Sequence, residues 1–105
     1  MRRDALEKLW DAFERIKTLE RGADKQAQAT ALLARATAGS GPKFCEKVEQ
    51  EARTLTDVGN SLRIRHSETD KEQVGGPAEI DYLFFRMFAF MRFLLLSTDP
   101  GGEGR

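Results

Sequence analysis

Arg63, Arg65 and His66 fall within a four-residue stretch, with Asn60 and Ser61 just before it and Glu68 and Asp70 just after. An imidazole that titrates near neutrality can move a proton, and a guanidinium can grip a phosphate bidentately or stabilise charge developing in a transition state. Together they suit cleavage of RNA by the neighbouring 2′-hydroxyl, a reaction that needs no metal. The same residues also have a structural reading. Arg and His at a helix end cap free carbonyls or pair with nearby acids, and Glu68, Asp70 and Glu72 lie close by in the sequence. Residue types alone leave both readings open.

Other chemistry finds little to stand on. One His and one Cys do not make the usual zinc set, so no metal is expected. Gly39-Ser40-Gly41 lacks the following Lys-Ser/Thr of a phosphate loop, and Gly75-Gly76 lacks the wider glycine spacing, so no nucleotide cofactor is expected either. Cys45 cannot form an internal disulfide and has no catalytic pair nearby; beside Phe44 it reads as a small buried or half-buried thiol. Lysine plus arginine equal aspartate plus glutamate at 17 each, so no global field draws the chain to nucleic acid, and any RNA contact has to be local.

The elements that must position these residues are helices. From Arg2 to Glu20, Leu6, Leu9, Trp10, Phe13, Ile16 and Leu19 recur every three or four positions among charges, an amphipathic helix. Asp4 with Lys8 and Asp11 with Arg15 stand one turn apart in the favourable order. Arg21-Gly22 closes it, and Asp24 is the N-cap of a second helix running to about Ala38, whose stripe of Ala27, Ala31, Leu32, Ala34 and Ala36 is weak and small. After the loop Gly39-Ser40-Gly41-Pro42, the residues Phe44, Val48, Ala52, Leu55, Val58 and Leu62 mark a third helix, with Glu49 and Arg53 as a surface pair. It decays through Gly59-Asn60-Ser61 into a polar stretch, read either as a brief extended segment or as a helix that unwinds near His66. No stretch reads as a sheet.

The last helix is the densest. Gly76 serves as its N-cap, Pro77 suits the first helical position and Glu79 puts negative charge in the first turn. At about 100° per residue, Ile80, Leu83, Met87, Phe90, Met91 and Leu94 share one face. Phe85, Phe88, Ala89 and Leu96 share the opposite one with Asp81 and Arg92, and Glu79, Tyr82 and Arg86 form a more polar edge. A membrane span needs about 20 apolar residues with few charges, and Arg86 and Arg92 interrupt this run. With a charged Met1-Arg2-Arg3-Asp4 start in place of a signal peptide, a cytoplasmic protein is expected. The fold class that follows is all-α: a four-helix up-and-down bundle over residues 1–97, with a longer connection before the hydrophobic last helix and a disordered tail from residue 98. The charged start and polar tail suit a self-contained protein rather than an isolated domain of a longer effector.

An amphipathic bundle, an Arg/His segment after a central helix and a hydrophobic helix after that resemble the HEPN superfamily. The stretch from Asn60 to Leu95 is similar to the C-terminal helical regions of bacterial abortive-infection or defence-associated proteins. The resemblance implies a dimer, and either a metal-independent endoribonuclease or a noncatalytic member of a toxin–antitoxin pair. The hallmark of the family, an Arg separated from a His by four to six intervening residues, is incomplete here. Those positions before His66 hold Gly59, Asn60 and Ser61, while counting forward from Arg65 reaches Asp70, Lys71 or Glu72.

Two functions are therefore expected in competition. One is a noncatalytic module that forms a homodimer or binds a protein partner through Phe85, Phe88, Ala89, Arg92 and Leu96. The other is a HEPN-like ribonuclease with His66 as general acid or base and Arg65, with Arg63, holding phosphate.

Overall fold

The computed structural model describes residues 2–64 and 69–98. Four helices account for most of them: α1 (Arg2–Ile16), α2 (Lys25–Ala36), α3 (Pro42–Ser61) and α4 (Pro77–Thr98). The expected all-α four-helix bundle, with its longer connection before α4, is the fold. One addition lies in that connection. Two-residue strands β1 (Leu62–Arg63) and β2 (Glu72–Gln73) pair in parallel, with Leu62 opposite Glu72 and Arg63 opposite Gln73. At Leu62–Arg63, directly after α3, the extended alternative is the one adopted, while residues 65–68 lie outside the described residues. Eight residues of sequence separate the two strands, fewer than the dozen or more of a regular parallel crossover.

Local chemistry sets the helix ends. The Asp24 carboxylate accepts from the Ala27 N–H at 2.8 Å, fixing the start of α2 as its sequence suggested. Pro42 opens α3, where its missing N–H costs nothing. At α4 the Glu79 carboxylate reaches back to the Gly75 N–H at 2.6 Å, and Gly76 offers its carbonyl to Glu79 and Ile80. α1 stops at Ile16 rather than Glu20, with Lys17, Thr18 and Leu19 continuing in single turns, so Leu19 is left in solvent. Thr98 is still helical, and the rest of the expected tail, residues 99–105, lies outside the described residues.

Packing centres on α4, which lies against both α1 and α2. Phe13 is fully buried, edge-on to Phe90 at 6.2 Å and tilted against Trp10 at 5.5 Å. Leu6, Ile16, Leu32, Ala36, Val48, Leu55, Met87 and Leu94 complete one continuous core. α3 runs antiparallel to α4: Phe44 sits edge-on to Phe93, and two turns along one helix and back along the other, Glu51 meets Arg86. The connection is tied down at both ends, since Ile64 and Val74 are buried and Lys71 donates to the Gly59 carbonyl at 2.8 Å.

The tightest approach in the bundle is at Gly59. A Cβ built there falls inside the indole of Trp10, so α1 and α3 meet only because position 59 has no side chain. Gly59→Ala is expected to cost about 1–3 kcal/mol by overpacking, despite the ~1 kcal/mol that alanine gains over glycine in a helix. With Trp10→Leu as background the same substitution should turn neutral or stabilising. Urea unfolding of the four chains of this cycle checks the change of sign.

Candidate interaction surface

Helix α4 presents two faces, and the bundle covers one. Leu83, Met87, Phe90, Met91 and Leu94 are buried and Ile80 is half-buried, which is the inward face read from spacing. On the other side Phe85 is 65% exposed, Tyr82 60%, Leu96 53%, and Phe88 and Leu95 48% each. Ala89 and Arg92 are exposed among them, and Asp81 is half-exposed. Phe84 stacks on Phe88 at 6.1 Å and meets Phe85 edge-on at 5.4 Å, so the aromatic rings form a continuous surface.

The size of this surface can be put on a scale. With about 150–250 Å² per aromatic side chain, those five side chains leave on the order of 500 Å² of apolar surface in water. A patch of that extent is at the upper end of what monomers carry, where it is often functional. Sequence reasoning placed Phe85, Phe88, Ala89, Arg92 and Leu96 here, and the structure brings all five together. It missed Tyr82, assigned to a polar edge, and Leu95, which the helical angle puts beside Phe88; both extend the same surface.

The rotation of α4 about its axis decides which residues face out, and beside the buried face one ion pair ties it to α3. Arg86 donates from Nε to Glu51 Oε2 at 2.9 Å and from a terminal nitrogen to Oε1 at 2.6 Å, a bidentate fork across to α3. A further bond runs to the Tyr82 hydroxyl at 3.2 Å. The hydrogen bond to Glu51, outweighing the desolvation that opposes it, pushes the Arg86 guanidinium above its ordinary range. A raised folded-state value means that the stabilisation is fully present below the unfolded-state pKa and is lost only in strong alkali, so Arg86 stays charged throughout the physiological range.

The residues proposed for chemistry fare differently. Arg63 lies in β1 with its backbone opposite Gln73, whereas Arg65 and His66 lie outside the described residues. An open cavity of about 390 Å³ adjoins the strand pair, lined by Leu62, Val74, Ala78, Tyr82 and Leu83 with Glu72, Gln73 and Glu79 at its polar side. Among the described residues no cluster of His, Cys, Asp and Glu could hold a metal ion, and no helix is long and apolar enough to cross a membrane. Cys45 is half-buried, its Sγ 3.6 Å from the Thr37 carbonyl oxygen.

Compared with protein-family models, with curated proteins and with solved structures, the chain matches none.

The Glu51–Arg86 pair should couple more strongly than an exposed one. A double-mutant cycle with Glu51→Gln and Arg86→Gln is expected to return about 1–2 kcal/mol. The Glu49–Arg53 pair, 3.4 Å apart on the open side of α3, should return roughly 0.3–0.5 kcal/mol. Equilibrium unfolding in urea measures both.

Proposed function

We propose that this chain is a small noncatalytic helical module that self-associates through the outer face of α4. The observation that carries the reading is the apolar surface formed by Tyr82, Phe85, Phe88, Leu95 and Leu96 on one continuous helix. Three companion helices, one of them built from small residues, leave it uncovered. Two copies pressed together over this face would bury roughly 1,000 Å² of apolar surface in all, about the size at which an interface becomes specific. Burial at about 25 cal/mol per Å² gives a gross driving force of roughly 25 kcal/mol, which exceeds the loss of translational and rotational freedom, about 4–15 kcal/mol, together with the ordering of a few side chains, and the aromatic rings lose little rotamer entropy when packed.

The proposal extends to a HEPN-like domain of a bacterial defence or toxin–antitoxin system. A four-helix bundle, an extended segment between the third and fourth helices and an unusually apolar last helix support it. The incomplete Arg/His spacing supports the noncatalytic form of that reading.

Light scattering coupled to size exclusion, at protein concentrations from about 1 to 100 μM, should show a dimer. Phe85→Asp or Phe88→Asp should produce a monomer that still folds and melts cooperatively, because neither side chain belongs to the core, with a melting temperature that no longer rises with protein concentration as that of a dimer does. An aromatic anchor contributes about 2 kcal/mol, and in a symmetric pair each substitution enters twice. The dissociation constant should therefore rise by roughly three orders of magnitude. A wild-type chain that stays monomeric throughout this range overturns the proposal.

A further inference from the structure

The outer face of α4 has a spacing that reads the same in both directions. Ala78, Asp81, Phe85, Phe88, Arg92 and Leu95 follow one another at intervals of three, four, three, four and three, the seam of a two-helix coiled coil. All six are exposed or half-exposed in the bundle. Because the intervals are palindromic, a second α4 laid antiparallel sets every seam position against a seam position. We infer that the partner on this face is a second copy of the chain, docked antiparallel so that Asp81 of each copy faces Arg92 of the other.

In this register Phe85 meets Phe88 twice across the twofold axis, small Ala78 lies opposite large Leu95 twice, and the two charges on the seam are neutralised by each other. A parallel pairing would set Asp81 against Asp81 and Arg92 against Arg92, and like charges facing each other across a desolvated seam select against it. Asp81 also interacts within its own chain; the two oxygens of a carboxylate accept from more than one donor. Arg92 has no ion-pair partner among the described residues, and an antiparallel copy supplies one in the middle of an apolar stripe. The Glu51–Arg86 pair points sideways to α3 and is left undisturbed.

This register rests on the self-association reading, and charge exchange separates the two. Asp81→Arg and Arg92→Asp are made singly and together in the full chain. Their dimer dissociation constants are read by analytical ultracentrifugation, and folding by circular dichroism and thermal melting. Each single variant alone should dimerise about ten- to hundredfold more weakly than wild type, because two attractive pairs become two repulsive ones. An equimolar mixture of the two should form a one-to-one heterodimer at least as tight as the wild-type dimer, and the double variant should recover wild-type affinity. Single variants that dimerise as well as wild type overturn the antiparallel register and leave the self-association reading standing. So does a mixture or a double variant that fails to recover while each chain still melts cooperatively. A monomeric wild type overturns both.

Discussion

Helix α4 is apolar on nearly its whole circumference, and the other three helices can shelter only one side of it. That constraint shapes the bundle. Met87, Phe90 and Leu94 take the inner side, where α1 supplies large partners such as Phe13 and Leu6, while α2 supplies Leu32 and Ala36. The core is made by packing α1 and α2 against the same central rod, and among the described residues none wraps its outer side.

Polar contacts then fix what packing alone leaves loose. A rod that is greasy all round has several rotations of similar packing energy, and the fork between Arg86 and Glu51 distinguishes among them by demanding one orientation. A fixed rotation turns a set of apolar residues into a defined surface: with Leu83, Met87, Phe90 and Leu94 buried inward and Arg86 held to α3, Phe85, Phe88 and Arg92 point out. Between α1 and α3 Trp10 does a comparable job by steric means, since its ring lies where a Cβ at position 59 would fall. The proposed association depends on both, because a symmetric seam pairs correctly only when the helix that carries it is held at one angle.

The connection before α4 is held more firmly than its polarity suggests. Ile64 and Val74 anchor it in the core, Lys71 ties it to the end of α3, and the strand pair clamps residues 62–63 to residues 72–73. These contacts fix where α4 begins, so the sites that bracket Arg65 and His66 in sequence are structural members of the bundle.

How much of this could be read from the chain itself follows from the range of each interaction. The number of helices, the Asp24 cap, the start at Pro77 and the division of α4 into an inner and an outer face are all written within a few turns of sequence, because helical periodicity relates residues three and four apart. Helix α1 ended a turn early, and Tyr82 and Leu95 joined the outer face, since those outcomes turn on which neighbour arrives to cover them. Nothing near Glu51 announces Arg86, nothing near Trp10 announces Gly59, and Val74 stands among polar residues with no pattern to mark it as core. Sequence by itself thus determined the fold class and the amphipathic faces, through contacts local to each helix. Tertiary structure alone decided which faces found shelter, because the residues that provide it are tens of positions away along the chain.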